Sequence, residues 1–134
     1  MGQGTYQAVV FGAIDPDIRE EIDGYSEIVD AIDSAIIKTE RRLGVRIKTP
    51  YECRTDYLGV VLAVSDESLA HSWKAASIPD RSAMPLGDLP VAIEAVVAEP
   101  MDKAREAWQA VRDAAAKAGK SLPDGRLLFV GDYD

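Results

Sequence analysis

The chain has 134 residues, of which 47% are hydrophobic and 28% charged, and its formal net charge is −8. This length suits one folded domain, and the hydrophobic fraction argues against an intrinsically disordered chain. The negative charge argues against direct binding to nucleic-acid phosphates, and no apolar run is long enough to span a bilayer.

The first half of the chain predicts a strand followed by a long helix. Residues 5–14 are rich in β-branched and aromatic side chains, which is typical of a strand. Asp15-Pro16 has the form of a helix start, an N-cap followed by proline, and predicts a short helix. The clearest helix is 25–43, where apolar side chains recur at helical spacing and form one buried face. Gly44 is a stop signal for this helix.

The middle of the chain mixes short elements with a loop. Residues 45–48 alternate apolar and basic side chains and could form a short edge strand. Residues 57–64 predict a second full strand, and 66–77 predict a helix with Trp73 on its apolar face. Residues 79–90 contain three prolines and a glycine and predict an irregular loop.

The last third of the chain predicts a strand, a helix and a final strand. Residues 91–98 suit a strand or a helix, and we favour a strand because several of them are β-branched. Residues 101–118 predict a helix whose apolar stripe includes Trp108, and Gly119 ends it. Residues 126–130 predict the last strand.

The order β-α-β-α-β-α-β predicts a single domain over residues 1–134 of the α/β class, with α+β as the main competitor. We expect a sheet of about four strands, mixed or parallel, with three main helices packed on it. In a parallel sheet, the carboxyl ends of the strands would share one edge, which is the usual place for a ligand in such folds.

Three of the predicted strands end in acidic residues: Asp15, Asp17, Asp66, Glu67, Asp132 and Asp134. At one edge of a parallel sheet, their oxygen atoms would suit Mg²⁺, and the chemistry would be metal-assisted phosphoryl transfer or hydrolysis. The simpler interpretation is that these acids cap the helices that follow or lie at the chain end. No phosphate-binding glycine loop accompanies them.

Cysteine and histidine each occur once, as Cys53 and His71. An intrachain disulfide and a zinc site of the common Cys/His kind are therefore excluded. Neither residue stands in a recognisable catalytic pattern, so we assign no catalytic residue. The single cysteine favours a reducing compartment, and we expect a cytoplasmic protein because no secretory signal precedes the first strand.

Negative charge is concentrated in residues 15–33, which hold eight acidic residues and one basic residue, while the rest of the chain holds 15 and 14. Such a concentration repels itself, and a basic partner would relieve the repulsion. Ile37 lies on the otherwise polar face of the long helix and resembles the apolar centre of a small interface. The residues expected to bind a partner are Asp23, Glu27, Asp30, Asp33, Ile37 and Arg41.

These features favour a non-enzymatic acidic protein that docks on a basic surface of another protein. An inhibitor fits this description, either an immunity protein or a phage-encoded blocker of a defence complex. The partner could be a nucleic-acid-handling complex whose basic groove accepts carboxylates in place of phosphates. We expect no cofactor, no membrane association and no direct nucleic-acid binding. The alternatives are a small magnesium-dependent enzyme and a structural subunit of a virion or homo-oligomer.

Overall fold

The computed structural model describes residues 5–14, 25–49, 57–64, 83–85 and 97–133. They form these elements in chain order: β1 (Thr5–Ile14), α1 (Tyr25–Leu43), β2 (Ile47–Lys48), β3 (Tyr57–Val64), β4 (Ala83–Pro85), α2 (Met101–Lys117) and β5 (Arg126–Tyr133). The fold is a mixed α+β arrangement. The described residues contain two long helices rather than the three expected, and the segment 66–77 lies outside them.

The described residues form a five-stranded sheet in the order β2-β3-β1-β5-β4, and its outermost strands are very short. Every neighbouring pair is antiparallel, so the expected parallel or mixed sheet is wrong. Strand β2 does run in the same direction as β1, but β3 lies between them. Helix α1 therefore connects two strands that are not neighbours. This is the split β-α-β connectivity of ferredoxin-like folds, with β4 added at one edge.

Both long helices end in the way that the sequence predicts. Gly44 has φ 65°, and the backbone N–H of Val45 donates to the carbonyl oxygen of Glu40 over 3.2 Å. This bond closes a Schellman motif, which satisfies a carbonyl at the helix end that has no partner within the helix. Gly119, with φ 77°, follows α2 in the same role. A left-handed backbone at these two positions is the reason that each is glycine.

Helices α1 and α2 pack on one face of the sheet. The core on this side contains Ile28, Ile32 and Ile36 of α1, Ala104, Trp108 and Val111 of α2, and Leu58 and Val60 of β3. Trp108 is buried, as expected, and its indole N–H donates to the carbonyl oxygen of Pro123 over 3.1 Å. The alternating residues of the strands form a second buried cluster on the other face: Ala8, Val10, Tyr57, Leu128 and Val130.

Three local expectations need correction. Strand β5 continues to Tyr133 because its backbone pairs with β1 as far as Thr5, so Asp132 lies inside a strand. Residues 83–85 form a strand within the stretch expected to be an irregular loop. Val97 and Ala98 are helical rather than extended. At these places, tertiary pairing and burial outweigh the local preference of the side chains.

Candidate protein-binding surface

Helix α1 has one buried face and one exposed face, as its periodicity predicts. Ile28, Val29, Ile32 and Ile36 are each at most 9% exposed. The exposed positions on the opposite side are Glu27, Asp30, Asp33, Ser34, Ile37, Lys38 and Arg41. We call the surface formed by Glu27, Asp30, Asp33, Ile37 and Arg41 the outer face. It unites five of the six residues expected to bind a partner, and the sixth, Asp23, lies outside the described residues.

Ile37 is the large hydrophobic residue that this part of the chain leaves exposed, at 39% of its surface. Its neighbour Ile36 points into the core and is only 4% exposed. Two adjacent isoleucines of one helix thus have opposite environments. Isolated exposed apolar side chains are common on protein surfaces, so the exposure of Ile37 alone does not indicate a binding site. The charged residues around Ile37 are what make this position a candidate interface.

The charged residues of the outer face change from acidic to basic along the helix. Asp33, Ile37 and Arg41 are spaced by four residues and lie in one row along the helix. Asp33 and Arg41 are eight residues apart, which places them about 12 Å apart along the axis. That separation is too large for a direct ion pair. Among the described residues, Glu27, Asp33 and Arg41 have no salt-bridge partner.

Two other charged residues in the last turns of α1, Glu40 and Arg42, form contacts within the fold. Arg42 forms a salt bridge with Glu106 of α2, with 3.0 Å between Nη1 and Oε2, and so links the two helices. The carboxylate of Glu40 accepts a hydrogen bond from the backbone N–H of Ile47 in β2. These two contacts belong to the fold and leave Arg41 as the basic end of the outer face.

Helix α1 is kinked between the acidic residues of the outer face. Ile32 has φ −122° and ψ 18°, which is not helical. No proline or glycine lies within the helix to mark this position in the sequence. The side chain of Ile32 is nevertheless buried. The kink separates the segment that carries Glu27 and Asp30 from the straight segment that carries Asp33, Ile37 and Arg41.

The strand ends that suggested a metal site do not share one edge of the sheet. Ile14, the last residue of β1, pairs with Tyr57, the first residue of β3. The last residue of β5, Tyr133, pairs with the first residue of β1. The carboxyl end of β1 is therefore about 30 Å from that of β5, and about 20 Å from that of β3, whose last residue, Val64, pairs with Ala8. The carboxyl ends of the three strands would share one edge only if the sheet were parallel.

Of the six acidic residues considered as metal ligands, only Asp132 is described, and its backbone pairs with Tyr6 of β1. The other five lie outside the described residues: Asp15, Asp17, Asp66, Glu67 and Asp134. Cys53 and His71 also lie outside them. Within the described ranges, no three Asp, Glu, His or Cys residues are grouped as metal ligands would be.

Lys48 is a buried charged residue that sequence reasoning missed. It lies in the two-residue strand β2, yet it is only 2% exposed and is engaged in an interaction. Thr49 beside it is also buried. The alternation in residues 45–48 predicts a short edge strand, in which apolar and basic side chains would lie on opposite faces. Arg46 is exposed and Lys48 is not, so the alternation holds for only one of the two basic residues.

No known protein family, curated protein or solved structure matches this chain. In the described part of the chain, neither helix has the length and apolarity required to cross a bilayer.

Proposed function

We propose that this chain is a non-enzymatic binding protein whose outer face docks on a basic surface of another protein. The observation that carries the proposal is the exposure of Ile37 in a row with Asp33 and Arg41, close to the acidic residues Glu27 and Asp30. Ile37 would fill an apolar depression of the partner. The carboxylates around it would face basic side chains.

The energetic roles of these residues differ. Binding energy at interfaces is concentrated in a few central side chains that lose contact with water, and Ile37 is placed to be one of them. Charges at the rim of an interface act mainly on the association rate and on specificity. Glu27 and Asp33 are exposed and have no salt-bridge partner in the described part of the chain. Their field would therefore be directed towards an approaching cation.

An inhibitor is the role that these properties suit best. A small acidic domain can block a nucleic-acid-handling protein by presenting carboxylates to the groove that normally binds phosphates. We propose a cytoplasmic inhibitor of this type, such as an immunity protein or a phage-encoded anti-defence protein. The concentration of acidic residues between positions 15 and 33 supports this role.

The proposal is tested by affinity capture with a set of charge and anchor variants. The tagged wild-type chain is used as bait in a native lysate, and captured proteins are identified by mass spectrometry at increasing salt. The variants are Ile37→Asp and Asp33→Lys, and the control is Asp113→Lys, which makes the same charge change on an exposed position of α2.

The expected result is a partner with a basic surface that the wild type and the Asp113→Lys control capture equally. Ile37→Asp and Asp33→Lys should each reduce its capture at least about tenfold, because one removes the anchor and the other repels the basic surface. Capture should also fall as salt screens the charges. A partner that both outer-face variants capture as well as wild type would refute the proposal.

A further inference from the structure

We infer that a second copy of this chain also binds to the outer face, forming a symmetric dimer through antiparallel α1 helices. Ile37 of each copy would lie at the two-fold axis and contact Ile37 of the other. Asp33 of each copy would face Arg41 of the other. This inference goes beyond the proposed function, because it concerns self-association and requires no foreign partner.

The spacing along α1 makes the outer face self-complementary. Asp33 lies four residues before Ile37, and Arg41 lies four residues after it. When two such helices cross in antiparallel orientation at Ile37, each acidic end meets a basic end. A two-fold symmetric interface requires this property, because the same surface must fit itself. The row Asp33, Ile37 and Arg41 therefore has the charge complementarity that a second copy needs.

Neither charge can be satisfied along its own helix. Residues three and four positions away are the ones that a helical side chain can reach. For Asp33 these positions towards the carboxyl end are Ile36 and Ile37, and for Arg41 towards the amino end they are Lys38 and Ile37. Ile36 and Ile37 are apolar, and Lys38 has the same charge as Arg41. No described residue of this chain forms a salt bridge with either charge, so a second molecule is the expected source of a partner.

The four-residue spacing of this row also suits helix–helix packing. Side chains spaced by four residues form the ridges that interlock in the commonest class of helix–helix contact, with axes crossing at about −50°. Asp33, Ile37 and Arg41 form such a ridge, and they lie on the segment after the kink at Ile32. Because the kink interrupts the helix before this ridge, the contact would be confined to the second half of α1.

The edges of the described sheet are poorly suited to self-association. Strand β2 is only two residues long, and the N–H of Ile47 is already bonded to Glu40. Strand β4 is three residues long and includes Pro85, which has no N–H to donate. Short edge strands, proline and covered N–H groups are the features that prevent strand addition. A helix face is therefore the better place for a second copy to bind.

The test is sedimentation equilibrium on the whole chain, with concentrations up to about 1 mM because the interface is small. The variants are Asp33→Arg, Arg41→Asp and the double variant that carries both. Asp113→Arg serves as the matched control on α2, and circular dichroism verifies that each variant is folded. The two single variants are also mixed in equal amounts.

The wild type and Asp113→Arg should dimerise with equal dissociation constants. Each single variant should weaken its own dimer at least about tenfold, because two symmetric contacts become repulsive. The mixture and the double variant should recover a dissociation constant near that of wild type, because every pair again joins opposite charges. A monomer at every concentration, single variants that dimerise like wild type, or a mixture that stays monomeric would each overturn the inference.

The two proposals are distinguished by measuring both self-association and partner capture of the wild-type chain. A wild-type chain that captures a partner but never dimerises would refute the dimer and leave the proposed function standing. A wild-type chain that dimerises but captures no partner would refute the proposed function and leave the dimer standing.

Discussion

The carboxylate of Glu40 accepts a hydrogen bond from the backbone N–H of Ile47, with 2.9 Å between Oε2 and the nitrogen. Within the described sheet, strand β2 lies at one edge and pairs with β3. A side chain from the end of α1 thus satisfies a donor at this edge. The bond also fixes the position of β2 relative to the helix that carries the outer face.

Replacement of Glu40 by alanine is expected to lower the free energy of unfolding by about 1–2 kcal/mol, because a partly buried N–H loses a charged acceptor. Glu40→Gln should lose less than half of that amount, since its amide oxygen can still accept the bond. Urea unfolding at neutral pH measures both values. An alanine variant as stable as wild type would show that the bond contributes nothing.

The two adjacent isoleucines of α1 give a sharp test of the orientation of this helix. Ile36→Ala should cost about 2–4 kcal/mol, because Ile36 is 4% exposed and its truncation leaves a cavity. Ile37→Ala should cost less than about 1 kcal/mol, since its side chain is already largely in contact with water. Chemical denaturation of the two variants under one set of conditions makes the comparison. Equal losses would contradict the placement of Ile37 on the outside.

The elements that the sequence predicts well are those whose stabilising contacts are local or periodic. Strand β1 and helix α1 have the predicted bounds, 5–14 and 25–43, because one is a dense β-branched run and the other has a strict apolar repeat. Gly44 and Gly119 were recognisable as helix ends from their position alone. The outer face followed from the same repeat, since the positions opposite a buried stripe must be exposed.

The features that the sequence does not reveal depend on contacts between distant segments. The order of elements fits both a parallel sheet and the observed antiparallel one, since α1 can join strands that are neighbours or strands separated by a third. The end of β5 follows from its pairing with Thr5 rather than from its own acidic residues. The kink at Ile32 and the burial of Lys48 have no local signal either, because both depend on how the elements pack.

Gly12 allows the close approach of β1 and β3. A Cβ atom at this position would collide with the carbonyl oxygen of Leu58 and lie 2.5 Å from the Cα of Gly59. Both are backbone atoms and cannot rotate away. Gly12→Ala is therefore expected to destabilise the fold by about 3 kcal/mol or more.

Gly119→Ala is the matched control for this prediction. A Cβ atom at Gly119 meets nothing within 4 Å, so only the positive φ opposes it. The control should lose about 1 kcal/mol. Thermal melting of the two variants compares the losses, and an alanine at position 12 that costs no more than one at position 119 would contradict the strand spacing.

A last prediction separates the proposed binding protein from a magnesium enzyme. The carboxyl end of β1 lies at the opposite end of the sheet from those of β3 and β5, so the described strands do not bring their three carboxyl ends together. Addition of Mg²⁺ at about 10 mM should leave the melting temperature within about 1 °C of its value in a solution of matched ionic strength. A site with millimolar or tighter affinity would instead raise it by several degrees. A rise that Asp15→Asn abolishes, while Asp113→Asn does not, would establish the metal site and favour the enzyme.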